Sequence, residues 1–315
     1  MKIIPYNKKT HTPLVMCLGA FDSVHLGHKS LIERAHELKN NYSAKVAVFT
    51  FNSENSNFKF KPNGEVFTFE ERIKRLEKML VDEVYVANVS EEFANILPVD
   101  FLNELVDNRP IRAFICGKDF KFGKNASGNV ELLKHFCEQK NIHLEVCDFI
   151  TDKSENKIAT TTIKDNLLNG NVKEANKLLG DKYFVTGEVI KGRQVGRTLG
   201  FPTANIKLSS TKLPLKSGVY LSEVILGDKT YGAITNVGNA PTFNDENFLI
   251  ECHIKDFSGD LYGKKLTVYF TDYIRPITKF ISKDELIKQL NSDLKVIKWF
   301  YLDLVVILKT FLTQG

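Results

Sequence analysis

The first half of the chain alternates between short apolar runs and amphipathic segments. The apolar runs predict buried strands at residues 14–18, 45–51, 83–89, 111–116 and 143–149. Between them, apolar residues at helical spacing predict helices at residues 29–40, 68–80 and 129–140. Thr68, followed three residues later by Glu71, predicts a capping box at the start of the second helix. This alternation predicts an open parallel sheet with helices on both faces.

In the second half, the period of the pattern changes to two. After a polar stretch near residues 151–157, one helix is predicted over residues 161–179. Beyond Asp181, short alternating segments predict strands at residues 183–190, 219–226, 230–237, 249–257 and 265–273. Successive short strands without helices between them indicate a small antiparallel barrel. We therefore predict two domains, residues 1–180 and 181–315, with a boundary near Gly180.

The segment at residues 296–312 is unusually apolar. Lys298, Asp303 and Lys309 interrupt it, so it falls short of the roughly 18 uncharged apolar residues of a membrane-spanning helix. We interpret it as a terminal helix that packs on the barrel. A surface for self-association or for contact with a membrane surface is the alternative.

Composition and charge narrow the class of protein. The 315 residues are 43% hydrophobic and 26% charged, as in a soluble globular protein with room for two cores. The net charge of +5 comes without a basic block or zinc-finger spacing, so we expect no nucleic-acid partner. The five cysteines form no C-x-x-C pair, and residues 1–5 lack the apolar core of a signal peptide. We expect reduced thiols and a cytoplasmic location.

The string GAFDSVHLGH, residues 19–28, lies where the predicted strand 14–18 gives way to a helix. Free amide N–H groups and the helix dipole favour anions at a helix start. His25 and His28 add donors there, and Gly27 lets a phosphate approach the backbone. This arrangement suits adenylyl transfer, in which an enzyme holds a triphosphate and stabilises charge on the α-phosphate and pyrophosphate. Two incidental surface histidines are the alternative.

A looser candidate loop, CGKDFKFGKNASG at residues 116–128, follows the fourth predicted strand. Its glycines and lysines can line a nucleotide pocket, and a plain turn-rich loop explains the same residues nearly as well. Ligands of open parallel sheets bind beyond the carboxyl ends of the strands. We therefore expect this loop to lie beside the histidines.

A second candidate centre, GEVIKGRQVGRTLGFPTAN, spans residues 187–205. Its four glycines keep the backbone open, while Lys191, Arg193 and Arg197 supply positive charge. The spacing matches neither a Walker A loop nor the glycine loop of protein kinases. Free amides and cations of this kind can nevertheless wrap the phosphate chain of a nucleotide.

Three further residues are candidates for catalysis or metal binding. Thr203 and Asn205 lie two apart on an extended segment, so their oxygens point to one side and suit Mg²⁺. Glu251 lies among apolar neighbours in a predicted strand, where a carboxylate suits a general base. A solvent-facing strand residue explains Glu251 alone equally well.

The motifs described above, taken in their order along the chain, resemble those of the prokaryotic bifunctional riboflavin kinase/FMN adenylyltransferase family, also called FAD synthetase. In the first half the resemblance rests on GAFDSVHLGH, on GKDFKFG and on residues 158–164 with the Leu-Leu-Gly at residues 178–180. In the second half it rests on GRTLGFPTAN and on the short strings at residues 218–220, 236–238, 241–243, 261–263 and 273–275.

The resemblance implies a fold and two activities. The fold would be a Rossmann-like nucleotidyltransferase domain of the HxGH type, followed by a six-stranded antiparallel barrel with a terminal helix. The barrel would phosphorylate riboflavin with Mg-ATP to give FMN. The first domain would transfer AMP from a second ATP to FMN, giving FAD and pyrophosphate. Riboflavin, FMN, FAD and ATP would be the ligands, with Mg²⁺ as the cofactor.

The resemblance also implies roles for individual residues. Glu251 would be the base on the ribityl hydroxyl, and His25, His28 and Lys164 would serve adenylyl transfer. Flavin contacts would come from Asn236, Arg275 and Phe280. Nucleotide contacts would come from Gly19, Phe21, Asp22, Gly27, Gly117, Asp119, Phe120, Thr161, Gly192, Arg197, Gly200, Thr203 and Asn205.

Three segments of the first domain depart from the family pattern. Ser23 stands where the family has glycine, and residues 52–55 stand where it has Pro-His-Pro. The Ser-Ser-Thr-x-Ile-Arg loop reads ATTTIK at residues 159–164, so Lys164 keeps a cation without the bidentate fork of arginine. Two alternatives follow: a riboflavin kinase with a degenerate first domain, and a non-catalytic flavin- or nucleotide-binding module.

Overall fold

The structure is a computed structural model that describes residues 1–53, 64–192, 195–239 and 248–312. Contacts among these residues divide the chain into two compact units, Met1–Thr162 and Ile163–Gly315. Each unit forms its own core, and each is described separately below. Several residues named in the sequence analysis lie outside the described residues: Glu54 and Asn55 of the segment that departs from the family pattern, Arg193, and the string at residues 241–243.

Within the described residues, the first unit is a six-stranded parallel sheet with helices on both faces. The strands are β1 (Lys2–Pro5), β2 (Leu14–Leu18), β3 (Lys45–Asn52), β4 (Glu83–Asn88), β5 (Ile111–Gly117) and β6 (His143–Cys147). The α-helices are α1 (Leu26–Leu38), α2 (Phe69–Lys78), α3 (Glu91–Ala94), α4 (Pro98–Asp107) and α5 (Val130–Lys140). Short 3-10 helices occupy Lys39–Tyr42 and Lys124–Ala126. The strand order β1-β4-β3-β2-β5-β6 confirms the predicted parallel α/β sheet.

Side chains of β2 point alternately into two apolar cores, one on each face of the sheet. Leu14, Met16 and Leu18 pack with residues of α4 and α5. Val15 and Cys17 pack on the other face with residues of α1 and α2. All five residues of β2 are buried, which is why this strand reads as a continuous apolar run rather than as an alternating one. The loop that follows β2 therefore starts from a rigid, fully buried support.

The capping box predicted at the start of α2 is confirmed. The Glu71 N–H donates to Thr68 Oγ1 (3.3 Å), and the Thr68 N–H donates to Glu71 Oε2 (2.9 Å). Both side chains are buried. Two donors that a helix start leaves unused are thus satisfied away from water, which fixes where α2 begins.

The described part of the second unit contains a closed barrel of six antiparallel strands. They are β7 (Tyr183–Ile190), β8 (Ala204–Lys207), β9 (Gly218–Leu226), β10 (Lys229–Asn239), β11 (Phe248–Ile254) and β12 (Lys265–Arg275). The order around the barrel is β10-β11-β8-β7-β12-β9. The helices are α6 (Thr160–Leu168), which begins in the first unit, α7 (Val172–Leu179), α8 (Val195–Thr198) and α9 (Lys283–Leu312). The predicted barrel with a terminal helix is confirmed.

The single helix predicted over residues 161–179 is wrong, because two helices, α6 and α7, occupy that segment. Gly170 separates them with a left-handed backbone (φ +79°). A Cβ at Gly170 would lie 3.0 Å from Lys216 Cδ and 3.1 Å from Tyr273 Cδ2. Apolar spacing continues through this turn, so periodicity alone does not reveal the break.

Helix α7 packs on the barrel and belongs to the second unit. The Asn176 amide donates to the Phe270 carbonyl (2.9 Å) and accepts from the Tyr183 N–H (2.6 Å), joining β12 to the start of β7. Lys173 forms an ion pair with Asp272 (2.7 Å). Contacts therefore divide the chain after Thr162, earlier than Gly180. The functional boundary near Gly180 stays a prediction.

Helix α9 extends through the apolar segment at residues 296–312. Among the described residues, none of the helices combines the length and apolarity that crossing a bilayer requires. The side chains of residues 298–312 lie outside the description, so packing or self-association through them stays a prediction.

We expect a fragment that starts at Ile163 to be more stable than one that starts at Asp181. The shorter fragment lacks the Asn176 amide and leaves the buried Tyr183 N–H without that acceptor, which costs on the order of 1–3 kcal/mol. Urea unfolding followed by circular dichroism measures the difference. Asn176→Ala in the longer fragment should reproduce part of the loss. Equal unfolding midpoints for both fragments would contradict this role of α7.

Candidate active sites

The loop Gly19–His28 leaves the carboxyl end of β2 at the point where the sheet changes its direction of winding. From β2 the chain continues to β3 on one side, while β5 pairs with β2 on the other side. Gly117 ends β5, so the loop of residues 117–128 leaves the same edge of the sheet. This switch point is where open α/β sheets bind ligands.

Two residues without glycine's freedom adopt left-handed backbone in the first loop. Phe21 has φ +50° and Val24 has φ +45°, and both side chains are fully buried. Such conformations cost on the order of 1–3 kcal/mol each and cluster at functional sites. A Cβ at Gly19 would lie 3.0 Å from the Phe21 ring. The buried Asp22 carboxylate accepts from the Val66 N–H (3.2 Å), which anchors the middle of the turn.

His25 and His28 form a capping box at the start of α1. The His28 N–H donates to His25 Nδ1 (3.2 Å), and the His25 N–H donates to His28 Nδ1 (3.3 Å). The rings stack with centroids 3.9 Å apart. Because each Nδ1 accepts a hydrogen bond, the proton of each neutral ring lies on Nε2. A Cβ at Gly27 would lie 2.9 Å from His25 Cε1, so glycine is required beside the rings.

The electrostatic surroundings keep His25 neutral. The pKa of His25 is lowered to about 4, mainly by burial of the ring and further by the positive charges of Lys157 and Arg75. At pH 7 the ring therefore carries one proton, on Nε2, and acts as a hydrogen-bond donor without a full charge. The Phe21 ring packs against His28 (centroids 4.8 Å apart).

The loop after β5 lies near the histidines, as the sheet topology predicts. The Phe120 N–H donates to the Gly117 carbonyl (2.9 Å), forming a turn that leaves Asp119 exposed. The Asp119 carboxylate forms an ion pair with Lys157, and both charges act on the His25 pKa. Sequence reasoning missed Lys157, because one lysine in a polar stretch carries no distinguishing signal.

The substituted loop at residues 159–164 contacts the first loop through hydroxyl groups. Ser23 is fully buried, and its Oγ lies 2.9 Å from Thr160 Oγ1. The next residue, Thr161, is exposed to solvent. Lys164 lies in the part of α6 that belongs to the second unit, so its placement beside the histidines stays a prediction.

In the barrel, strand register brings three candidate residues into one row. Asn205 of β8 lies opposite Glu251 of β11, and Glu251 lies opposite Asn236 of β10. Directly opposed side chains on one face have Cβ atoms about 4.5–5.5 Å apart. The amide of Asn205, the carboxylate of Glu251 and the amide of Asn236 are therefore neighbours.

This row lines a cavity of about 370 Å³. Its walls include every residue that the sequence assigns to the metal, the base or the flavin: Thr203, Asn205, Asn236, Glu251, Arg275 and Phe280. Apolar side chains supply much of the remaining wall: Leu199, Phe201, Val219, Ile234, Ile277, Leu286, Leu290 and Leu294. A mostly apolar cavity with a few convergent polar groups is typical of a binding site for a small organic molecule.

Asn205 carries the strongest sign of a ligand-binding position. It is 5% exposed, and its Oδ1 atom is buried without a hydrogen-bond partner among the described residues. A Cβ at Gly192 would lie 2.4 Å from Asn205 Nδ2, so the backbone of Gly192 approaches the amide as closely as glycine allows. A buried oxygen with unused lone pairs beside the half-buried Thr203 fits a hard cation. The described residues contain no cluster of three His, Cys, Asp or Glu side chains that could hold a metal.

A second cavity, of about 630 Å³, adjoins the same segment. Arg197, Pro202 and Thr203 line one wall, and residues 257–262 line the other. Thr203 lines both cavities. Gly200 has φ +84° at the turn between α8 and β8, which favours glycine there. The two cavities can therefore hold two molecules that meet at Thr203.

Arg275 is engaged by a residue that sequence reasoning missed. Its Nη2 and Nε donate to the two carboxylate oxygens of Asp293 on α9 (2.7 and 3.1 Å), and Asp293 is 2% exposed. The Gln289 amide donates to the same carboxylate (2.8 Å). This clamp ties β12 to α9 beside the first cavity. The two partners lie 18 residues apart, so spacing does not reveal the pair.

We expect Asp293→Asn to destabilise the second unit strongly. Removing one partner of a buried ion pair leaves the other charge without compensation and costs about 3–5 kcal/mol. Asp272→Asn is the matched control, because the Lys173–Asp272 pair is exposed and such pairs contribute at most about 1 kcal/mol. Urea unfolding of the full chain measures both losses. Similar losses of unfolding free energy for the two variants would contradict a special stabilising role of the Arg275–Asp293 pair.

NMR of ¹⁵N-labelled histidine tests the His25–His28 arrangement. Long-range ¹H–¹⁵N spectra should show Nε2–H tautomers for both rings, with a His25 pKa of about 4. In the unfolded chain His25 takes up its second proton near pH 6.5, whereas in the folded chain it does so only near pH 4. The contribution of the neutral ring to the free energy of unfolding is therefore fully present above pH 6.5. It is lost as the pH falls through 4. A His25 pKa at or above 6.5, or a proton on Nδ1, would contradict the capping box.

Comparisons with known proteins match each half of the chain to an enzyme family. A family model described as FAD synthetase matches residues 7–162, and one described as riboflavin kinase matches residues 179–301. The bifunctional riboflavin kinase/FMN adenylyltransferase of Haemophilus influenzae is 34% identical over 291 residues, covering 91% of this chain and 94% of that protein. The protein of the same name from Bacillus subtilis is 31% identical over 292 residues, covering 91% of this chain and 92% of that protein.

A solved structure shares the arrangement over nearly the whole length. It is described as a macrolide-efflux protein from Streptococcus pneumoniae, and it is 31% identical with a TM-score of 0.84. The match covers 95% of this chain and 99% of that chain. Taken with the family models and the relatives, these findings show that the chain belongs to the bifunctional riboflavin kinase/FMN adenylyltransferase family, with a FAD synthetase domain followed by a riboflavin kinase domain.

Proposed function

We propose that this protein converts riboflavin to FAD in two reactions at two separate sites. The barrel phosphorylates riboflavin with ATP to give FMN and ADP. The first unit then transfers AMP from a second ATP to FMN, giving FAD and pyrophosphate. The observation that carries the proposal is the row of Asn205, Glu251 and Asn236 in one cavity, where amide oxygen, base and flavin contact meet.

Glu251 acts as the general base of the kinase reaction. Its carboxylate accepts the proton of the terminal ribityl hydroxyl as that oxygen attacks the γ-phosphorus of ATP. The new O–P bond forms as the bond to the β-phosphate oxygen breaks, and ADP leaves. The nucleotide occupies the second cavity, with its phosphates beside Gly192, Arg197, Gly200 and Thr203. Thr203, which lines both cavities, lies where the phosphoryl group crosses.

Thr203 and Asn205 would hold the divalent metal of this family, which we infer to be Mg²⁺. The buried Asn205 Oδ1 and the Thr203 hydroxyl are hard oxygen donors that fit this ion. Bound there, such a metal would neutralise negative charge on the phosphates. The isoalloxazine ring of the flavin packs between apolar walls that include Phe280, while Asn236 and Arg275 contribute polar contacts.

In the first unit, His25 and His28 donate their Nε2–H groups to the phosphates of the second ATP. A phosphate oxygen of FMN attacks the α-phosphorus, and pyrophosphate leaves with the negative charge that the donors stabilise. The start of α1 adds free amides and the helix dipole. We assign Lys164 to the leaving phosphates as a further cation. Further contacts to the nucleotide come from Gly19, Phe21, Asp22, Gly27, Gly117, Asp119, Phe120 and Thr161.

Flavin analysis tests the proposal directly. The purified protein is incubated with riboflavin, ATP and Mg²⁺, and the flavins are separated by chromatography. We expect FAD to accumulate as the final product. Since both reactions consume ATP, we also expect the protein to act in the cytoplasm. FMN as the only product would indicate a degenerate first unit, and unchanged riboflavin would indicate a binding module.

We expect single substitutions to separate the two reactions. Glu251→Gln keeps the shape of the side chain and removes the base, so the riboflavin-to-FMN rate should fall by about 10²–10⁴. The FMN-to-FAD rate should stay unchanged, because that site has its own donors. His28→Ala should give the reverse pattern, with FMN-to-FAD slowed by about 10²–10³. Loss of both reactions in a folded Glu251→Gln protein would refute the assignment to two sites.

A further inference from the structure

Two arginines of α2 are buried beneath the loop that carries the histidines. Arg72 and Arg75 are 1% and 2% exposed. They lie three residues apart and therefore on one face of the helix. Neither belongs to a string that carries the family resemblance. Charged side chains are almost never this buried without specific partners, so their contacts require an explanation.

Arg72 holds the entry to the loop. Its Nη1 donates to the Ala20 carbonyl (3.3 Å) and to Thr50 Oγ1 (3.0 Å), and its Nη2 donates to the Phe51 carbonyl (2.8 Å). The Thr50 hydroxyl donates to the same Ala20 carbonyl (2.7 Å). The Glu65 carboxylate lies 3.5 Å from Nη2 and balances the charge. The peptide between Ala20 and the left-handed Phe21 is thus held from two sides.

Arg75 holds the exit of the same turn. Its Nη2 donates to the Val24 carbonyl (3.1 Å), and its guanidinium stacks over the Phe67 ring (4.8 Å to the centroid). The Val24 carbonyl and the His25 N–H belong to one planar peptide unit. That N–H is the donor to His28 Nδ1. Arg75 therefore fixes the peptide plane on which half of the histidine capping box depends.

These contacts join a strained turn to a buried support. Phe21 and Val24 adopt left-handed backbone, which persists only where surrounding structure over-determines it. The two guanidinium groups bind the carbonyls at either side of that turn. If the Val24–His25 peptide rotated, the His28 ring would lose its Nδ1 partner and its Nε2–H group would lose its direction.

We propose that Arg72 and Arg75 are positioning residues for adenylyl transfer, which hold the strained loop so that His25 and His28 point their Nε2–H groups at the phosphates. The inference rests on the adenylyl transfer proposed for the first unit. Arg75 has a second, electrostatic effect, since its positive charge contributes to the low pKa of His25.

Arg109 is a matched control within the same unit. It is also buried, and its guanidinium stacks over Tyr85 (4.6 Å to the centroid). It likewise donates to backbone carbonyls, those of Tyr6, of Leu105 (3.2 Å) and of Lys8 (3.2 Å). These carbonyls lie outside residues 19–28. Removing Arg109 therefore removes a buried arginine of the same kind without releasing the histidine loop.

The test compares Arg75→Met, Arg75→Lys and Arg109→Met in the full chain. We expect Arg75→Met to lower kcat for FMN-to-FAD conversion by roughly 10-fold to 100-fold, because small displacements of catalytic groups have effects of this size. Arg75→Lys should recover part of the loss, since its ammonium can donate to the Val24 carbonyl. Arg109→Met should lower the urea midpoint but keep kcat per folded molecule. Riboflavin phosphorylation by the second unit, measured in each preparation, should be the same in all three.

Histidine NMR provides a readout that general destabilisation does not move. In Arg75→Met, the His25 pKa should rise and the Nε2–H tautomer of His28 should be lost or mixed, while Arg109→Met should leave both unchanged. This readout also stands if the wild-type chain makes FMN but no FAD, a result that would count against adenylyl transfer and not against the positioning. Arg75→Gln, which keeps a polar end, replaces Arg75→Met if that variant does not fold.

Two results would overturn the proposal. One is a folded Arg75→Met protein with FMN-to-FAD kcat within twofold of wild type and unchanged histidine spectra. The other is an equal loss of kcat per folded molecule in Arg109→Met, which would mean that any buried arginine of this unit has the same effect.

Discussion

Both candidate sites depend on the hydrogen-bonded register between neighbouring strands. In the barrel, the ladders of β8, β11 and β10 set Asn205 opposite Glu251 and Glu251 opposite Asn236. A slip of one residue would turn the central carboxylate to the other face of the sheet. In the first unit, the ladder between β2 and β5 brings Cys17 level with Ile115, so that the loops after both strands leave one edge. Backbone pairing thus brings together residues that are far apart in the sequence.

The two sites differ because the two nucleophiles differ. A ribityl hydroxyl must lose a proton as it attacks phosphorus, and we propose that the Glu251 carboxylate of the barrel accepts that proton. The phosphate of FMN is already largely ionised at pH 7, since the second pKa of such a group is about 6. Adenylyl transfer needs donors and cations rather than a base, and the first unit presents two histidines on a loop whose carbonyls bind two buried arginines. The chemistry required of each unit therefore matches the groups that the unit provides.

Much of the fold follows from local pattern, and the failures have physical causes. The apolar run at residues 14–18 is buried on both faces, and its predicted bounds are those of β2. Strand β8 is not predicted, because it has only four residues and follows shortly after a proline. The break at Gly170 depends on Tyr273 and Lys216, which periodicity cannot report. In the sequence, Arg72 and Arg75 have the pattern of a solvent-exposed helix face. Their burial depends on hydrogen bonds to carbonyls that are distant in the sequence, which the helical pattern does not show. Arg275 was predicted as a flavin contact, although its main partner is Asp293.

In the function proposed here, FMN made at one site is an ordinary substrate for the other. Mixing Glu251→Gln protein with His28→Ala protein tests it directly, because each variant keeps the reaction that the other lacks. With riboflavin, ATP and Mg²⁺ present, we expect FMN to accumulate first and the mixture then to form FAD, although neither variant alone does so at a comparable rate. A mixture of folded variants that makes FMN but no more FAD than the separate proteins would show that FMN does not pass freely between the two sites.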